Sequence, residues 1–147
     1  MAEIRHRIGI KADAGRVYQA LTTDTGLNRW WTSDTRGAGP VGSVVEFRFG
    51  GGGPDFEVIE LVENQRVRWR HHGDMPAAWM GSEILFELRE DGKQTLVNFA
   101  HYNWRESDEF LAHCCTKWGI FMMSLKDCIE TGEGRPWPND VHIDYDE

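Results

Sequence analysis

Hydrophobic and polar residues alternate with a period of two along much of the chain, which is typical of half-buried β-strands. Residues 3–12 place Ile4, His6, Ile8 and Ile10 on one face and mainly basic residues on the other. Four or five further strands show the same alternation, each with one apolar and one charged face. They correspond to residues 43–49, 55–62, 66–72, 82–90 and 94–102. The pattern predicts an antiparallel sheet that has one face in water.

Two short helices are predicted between the first and second strands. Asp13 is a suitable N-cap for a helix over residues 14–21, because its side chain can accept a hydrogen bond from the unpaired amides of the first turn. Thr23 or Asp24 offers the same cap to a second helix that carries residues 26–31. The stretch from there to the next strand is rich in glycine, serine and aspartate, and we predict a loop.

After the last strand the apolar period becomes that of an α-helix. Ser107 is a suitable N-cap, and Gly132 fits the position just beyond the C-terminus. A helix of about 24 residues would be roughly 36 Å long. Residues 133–147 form an acidic segment that is broken by prolines, with Trp137 as a candidate anchor. We therefore predict a single domain over residues 1–132 and a C-terminal tail.

The predicted long helix carries His113, Cys114 and Cys115 in succession, which raises the question of a metal or redox site. On a helical wheel the histidine lies about 100° from the first cysteine and about 160° from the second, so the three side chains diverge. Ligands of one zinc ion must converge on it. We therefore expect no metal site and interpret the cysteines as small hydrophobic residues. His113 falls on the polar side, with Lys117 and Ser124. The apolar arc of about 140° contains Phe110, Leu111, Cys114, Cys115, Trp118, Phe121, Met122, Leu125, Cys128 and Ile129.

Length, charge and cysteine content narrow the choice of function. The chain has 147 residues, a formal net charge of -8 and a pI of about 5.2, which argues against a nucleic-acid or anionic-membrane partner. No apolar run approaches the roughly 20 residues that span a bilayer, and the charged N-terminus lacks the apolar region of a secretory signal. Three cysteines, an odd number, suggest free thiols in a reducing compartment. We therefore expect a cytoplasmic protein.

The order of the predicted elements resembles the helix-grip fold of START-like (SRPBCC, Bet v-like) domains, an α+β fold. More narrowly, the chain resembles the family related to the C-terminal domain of the activator of the heat-shock protein 90 ATPase. The stretches that carry the resemblance are IKADAGRVYQALTT at 10–23, LNRWWTSD at 27–34, FEVIELVENQRVRW at 56–69, FELREDGKQTLVNFAH at 86–101 and WGIFMMSLKDCIETGEG at 118–134. The resemblance implies a curved antiparallel sheet wrapped around the long C-terminal helix, with two short helices after the first strand.

Such folds commonly leave an apolar cavity between the sheet and the helix, and the seven Trp and seven Phe residues of this chain suit either a cavity wall or a solid core. Carried onto this sequence, the resemblance implies a wall of aromatic and apolar residues with two histidines among them. The candidate ligand-binding residues are Trp30, Trp31, Phe47, Phe49, Val58, Trp69, His71, Phe86, Phe99, His101, Trp118, Phe121 and Met122.

Two polar residues fall on the predicted inner face of the sheet. His71 and His101 have the parity of their apolar neighbours, and each is either a hydrogen-bonded core residue, a polar contact for a ligand, or a general acid/base. Glu60 shares the parity of Val58, although we favour an exposed position at a bulge. The sequence shows no nucleophile motif, phosphate loop or metal motif, and we expect no cofactor.

Three functions remain open at this stage. The first is binding of a small apolar or amphipathic ligand without catalysis. The second is a cyclase or dehydratase of the polyketide-cyclase type that uses an inner-face histidine. The third, regulation of a chaperone, is the least favoured, because the first strand begins by Glu3 and leaves no room for an additional N-terminal domain. Ile120 and Met123 lie on the polar side of the long helix, where they suit a contact with the tail or with a second subunit in a homodimer.

Overall fold

A computed structural model describes residues 2–145 as a curled antiparallel sheet that forms a half-barrel around one long helix. Among these residues, the strands pair in the order β1-β7-β6-β5-β4-β3-β2. Two short helices connect β1 to β2 along the chain. The helix-grip prediction is therefore confirmed. The elements are β1 (Ala2–Ile10), α1 (Ala14–Thr22), α2 (Asp24–Asn28), β2 (Asp34–Arg36), β3 (Val44–Arg48), β4 (Asp55–Val62), β5 (Arg66–His72), β6 (Glu83–Asp91), β7 (Gln94–Trp104) and α3 (Glu109–Thr131), with a single 3-10 turn at Ala77–Trp79.

The helix caps follow from local chemistry and differ from the prediction in one place. Asp13 caps α1 by accepting a hydrogen bond from the amide of Arg16 at 2.9 Å. The long helix begins one residue later than predicted, because Asp108 and not Ser107 accepts the bond from the amide of Leu111 at 3.1 Å. Gly132 ends the helix in the left-handed conformation, with φ at 85°. A side chain at this position would be strained, which explains the glycine.

Between α2 and β3 the structure corrects the predicted boundaries. The helix α2 ends at Asn28, so Trp30 and Trp31 follow it instead of lying within it. The indole of Trp30 donates to the carbonyl of Ala20 at 2.8 Å, which holds the buried ring below α1. A three-residue strand, β2, was not predicted: it pairs with β3, and its central Thr35 bonds the side chain of Asn28.

The register of β4 shifts between Val58 and Glu60, which marks a β-bulge. The extra residue turns the carboxylate of Glu60 away from the core. The carboxylate faces Arg66 at 3.4 Å and Arg68 at 3.6 Å. The predicted bulge is confirmed, but Glu60 is half-buried and not exposed as predicted.

The long helix lies against the inner face of the sheet and buries Trp118, Phe121, Met122 and Leu125. The prediction that Ser124 lies on the polar side was wrong, because the segment after α3 folds back over that side. The hydroxyl of Ser124 donates to the carbonyl of Trp30 at 2.8 Å and accepts from the amide of Arg135.

The C-terminal segment, residues 133–145, follows the surface back towards the sheet. The amide of Trp137 donates to the carbonyl of Trp31 at 2.8 Å, and the carbonyl of Trp137 accepts from Ser33. The Trp137 ring meets Phe49 edge-on, with centroids 6.0 Å apart. These contacts make the segment one wall of the site described below.

No helix within residues 2–145 is both long and apolar enough to cross a membrane. The same residues contain no group of three or more His, Cys, Asp or Glu side chains placed to hold a metal ion. The three cysteines are free.

Candidate functional site

A cavity of about 610 Å³ opens between the first half of α3 and the loops at one end of the sheet. Its walls come from the β3–β4 turn, the β5–β6 loop, α3 and the C-terminal segment. The apolar part of the wall consists of Trp31, Phe49, Pro54, Met75, Pro76, Trp79, Phe110, Trp118, Phe121, Trp137 and Pro138.

Aromatic rings support one another around this space. The Trp118 ring contacts Trp31, with centroids 4.8 Å apart, and stacks near Trp79 at 6.4 Å. Such rings are large and lose little conformational entropy when they are packed side by side. The inner wall is therefore a closely packed aromatic surface, whereas Met75 and Phe110, which are 58% and 38% exposed, lie at the mouth.

The polar part of the wall is contributed by α3 and the C-terminal segment. Lys117 binds the carboxylate of Asp140 and donates to the carbonyl of Val141 at 2.9 Å. His113 lies 3.2 Å from the carboxylate of Asp144. His142 and Cys114 complete this side of the cavity. Burial raises the pKa of the Cys114 thiol to about 12, so it is protonated at neutral pH and a poor nucleophile.

Four of the predicted ligand-binding residues line the cavity, namely Trp31, Phe49, Trp118 and Phe121. The others pack into the core and do not line it. The Trp69 and Phe86 rings, for example, pack edge to face with their centroids 5.2 Å apart and leave no space between them. The residues that lie in the core are Trp30, Phe47, Val58, Trp69, His71, Phe86, Phe99, His101 and Met122.

His101 is a hydrogen-bonded core residue with both ring nitrogens engaged. The indole of Trp118 donates to its Nδ1 at 3.2 Å. Its Nε2 lies 2.9 Å from the hydroxyl of Ser82, which in turn donates to the carbonyl of Trp79 at 2.6 Å. Since the hydroxyl already donates its hydrogen to Trp79, it accepts a hydrogen bond from Nε2–H of His101. The histidine is therefore neutral, with its hydrogen on Nε2. Burial, assisted by the nearby His71, lowers the pKa of His101 to about 3.

His71 is also buried, next to the loop that borders the cavity. Its Nε2 lies 2.8 Å from the carbonyl of Met75, while its Nδ1 is buried without a hydrogen-bond partner among the described residues. The ring packs edge-on against Phe56 and Trp79. Trp79 therefore separates this histidine from the cavity.

Several residues of the site were missed by sequence reasoning. Trp79 belongs to a loop that shows no period, and Asp140 belongs to the acidic segment, in which nothing distinguishes one carboxylate from the next. One signal was present: His113 and Lys117 are four residues apart on a helix and so share a face. That face was interpreted as solvent-exposed, but the C-terminal segment packs on it.

Comparison with known proteins identifies the family. The family described as activator of Hsp90 ATPase homolog 1-like protein matches residues 11–130. No curated protein matches the chain. The solution structure of the Aha1 dimer from Colwellia psychrerythraea is 57% identical, covers 91% of this chain and 100% of its own, and superposes with a TM-score of 0.85.

More distant structures share the fold alone. Protein MLL2253 from Mesorhizobium loti is 18% identical with a TM-score of 0.79, over 90% of this chain and 99% of its own. Protein SSP2350 from Staphylococcus saprophyticus is 16% identical with a TM-score of 0.76, over 92% of this chain and 97% of its own. On the family match and the close relative, this chain belongs to the activator of Hsp90 ATPase homolog 1-like family of the START-like superfamily.

Proposed function

We propose that this protein binds a small, mainly apolar molecule in the cavity between α3, the loops and the C-terminal segment. The observation that carries the proposal is a space of about 610 Å³ with predominantly aromatic walls. This volume lies within the range of roughly 300–1,000 Å³ that is usual for small-molecule sites. The polar side chains on the wall, chiefly Lys117 and Asp140, bind one another, so most of the surface offered to a ligand is apolar.

The two inner-face histidines favour binding over catalysis. A general acid/base needs a ring nitrogen within hydrogen-bond reach of its substrate. Both nitrogens of His101 are occupied by protein groups, and His71 lies behind Trp79. The cyclase-type alternative would therefore require the core to rearrange before a substrate could reach either ring.

The proposal is tested by native mass spectrometry of freshly purified protein, followed by thermal shifts with a panel of lipophilic compounds. A ligand at 100 times its dissociation constant should add about 2.7 kcal/mol to the free energy of unfolding. If no bound mass is found and no compound raises the melting temperature, the proposal fails.

A variant that narrows the mouth should abolish this binding while leaving the fold intact. Gly52 lines the cavity at the β3–β4 turn, and a Cβ built on it meets only the terminal methyl of Met75, at an ordinary contact distance of 3.7 Å. Gly52→Phe places a ring at the entrance. We expect ligand affinity to fall by at least about tenfold, and the free energy of unfolding to change by less than about 0.5 kcal/mol.

Gly52→Ala is the matched control, because it adds a Cβ without filling the mouth. It should bind ligand like the unmodified protein in the same titration. Equal affinity of the phenylalanine variant would show that ligand enters or binds elsewhere.

We also propose that the chain forms a homodimer, since the relative that is 57% identical over its whole length is described as a dimer. Met123 is 48% exposed on α3 and provides apolar surface outside the cavity. Light scattering during size-exclusion chromatography should give twice the chain mass of 16.9 kDa. A mass of one chain across a concentration series would contradict the proposal.

Regulation of a chaperone is supported by the family name alone. It remains the weaker alternative, and retention of a chaperone on the immobilised protein would raise it above ligand binding. The cytoplasmic location likewise remains a prediction.

A further inference from the structure

The C-terminal segment brings into the cavity wall a carboxylate with one unused oxygen. Asp140 is only 5% exposed, and one of its oxygens binds Lys117. The other, Oδ1, is buried and has no hydrogen-bond partner among the described residues. Since buried polar atoms in folded proteins are nearly always hydrogen-bonded, this oxygen marks a place where a donor from outside the protein fits.

A second group without a nitrogen or oxygen partner borders the same space. The indole Nε1 of Trp79 is buried and interacts, among residues 2–145, with the thiol of Cys114, which is a weak acceptor. Trp79 and Asp140 both line the cavity. Beside Lys117 and the two histidines of its polar side, the mainly apolar cavity therefore has an acceptor on a carboxylate and a donor on an indole.

The charges on the wall oppose an anionic ligand. Lys117 is paired with Asp140, so the lysine on the wall already faces a carboxylate, and His113 lies beside the carboxylate of Asp144. The chain as a whole carries a formal net charge of -8. A carboxylate or phosphate ligand would gain no unbalanced cation from these pairs, and it could only accept hydrogen bonds, which would leave Asp140 Oδ1 unpaired.

We infer that the ligand is an uncharged aromatic or polycyclic alcohol with a flat apolar body. Its hydroxyl donates a hydrogen bond to Asp140 Oδ1, and the oxygen of the same hydroxyl accepts one from Trp79 Nε1. A hydroxyl both donates and accepts, whereas an ammonium group would add a second positive charge beside Lys117. This choice of ligand class rests on the proposed binding function, since it concerns the same cavity.

Four probes of similar size separate the possibilities by isothermal titration calorimetry. They are 2-naphthol, 2-methylnaphthalene, 2-naphthoate and 2-naphthylmethylamine. We expect 2-naphthol to bind at least about tenfold more tightly than each of the others, because it alone satisfies the carboxylate oxygen without adding charge. Equal affinity of naphthol and methylnaphthalene, or tighter binding of the acid or the amine, would overturn the assignment. Binding of none of the four would instead count against the proposed function itself.

Substitution of Asp140 should change which of the four probes binds most tightly, as well as the individual affinities. Asp140→Asn removes the negative charge next to Lys117, so we expect 2-naphthoate to gain about tenfold and 2-naphthol to lose its advantage. Asp127→Asn, on the exposed face of α3, makes the same change in net charge and should leave the order unaltered. An unaltered order in Asp140→Asn would overturn the assignment.

A second variant decides the matter if Asp140→Asn does not fold. Trp79→Phe removes only the indole donor and keeps an aromatic ring in the wall. We expect the ratio of affinities for 2-naphthol and 2-methylnaphthalene to fall by about threefold or more, as for the loss of one hydrogen bond. An unchanged ratio would show that the indole does not contact the hydroxyl.

Discussion

Replacement of His101 by leucine is expected to lower the free energy of unfolding by about 3 kcal/mol, because it leaves buried polar groups without partners. The Trp118 indole would lose its acceptor at 3.2 Å, and the Ser82 hydroxyl would lose the donor at 2.9 Å. All of these atoms are shielded from water, so no solvent replaces the histidine. Chemical denaturation, followed by tryptophan fluorescence and circular dichroism, measures the loss.

The effect should also depend on pH in a direction that follows from the lowered pKa of His101. Folding holds this pKa at about 3, and the unfolded chain returns it to about 6.5. Between these values the unfolded state binds more protons, so the native protein loses up to about 1.4 kcal/mol for each pH unit of acidification. The leucine variant lacks this contribution, and its deficit relative to the native protein should therefore be largest at neutral pH and shrink towards pH 4.

His72→Leu is the matched control, since His72 follows His71 on β5 but is exposed to solvent. It should change stability by less than about 0.5 kcal/mol. A double-mutant cycle of His101→Leu with Trp118→Phe should show a coupling of about 1 kcal/mol, because the phenylalanine removes the orphaned N–H group. Equal stability of His101→Leu and the native protein at neutral pH would contradict the hydrogen-bond chain and reopen an acid/base role for the ring.

The strands and the long helix were predictable because their signals are local. The alternation of residues 94–102, for example, reports that one face of β7 is buried, whatever lies above it. Alternation does not report whether the covered space is filled. Phe86 and Phe99 were predicted to face a cavity, but their rings are 5.3 Å apart and contribute to a solid core.

The position of the cavity depends on contacts between distant segments, which leave no period in the sequence. Phe49 at the end of the sheet and Trp137 in the C-terminal segment meet across almost ninety residues of chain. His113 illustrates the consequence: the helical wheel correctly placed it away from the apolar arc, but only the path of residues 133–145 shows that this face is covered.

The buried ion pair between Lys117 and Asp140 predicts the second large effect. Lys117→Met should destabilise the packed C-terminal segment by about 3 kcal/mol, because it leaves a buried carboxylate without its cation. The side chains of Lys117 and Asp140 are only 13% and 2% exposed, so water screens this pair far less than it would a surface pair. Since the segment can detach from α3 instead of holding an unpaired charge, the loss should appear as local opening. Limited proteolysis and hydrogen exchange of residues 133–145 measure it.

The double variant Lys117→Met/Asp140→Leu distinguishes a lost ion pair from lost packing. Replacing both partners by apolar groups leaves no buried charge, and such replacements are often neutral or stabilising. We therefore expect the double variant to recover most of the protection that Lys117→Met loses, and to bind 2-methylnaphthalene as tightly as 2-naphthol. If the double variant opens as readily as Lys117→Met, the segment is held by the shape of the lysine stem and not by its charge. If both variants stay closed, Trp137 and the backbone bonds to Trp31 and Ser33 suffice to hold this wall of the cavity in place.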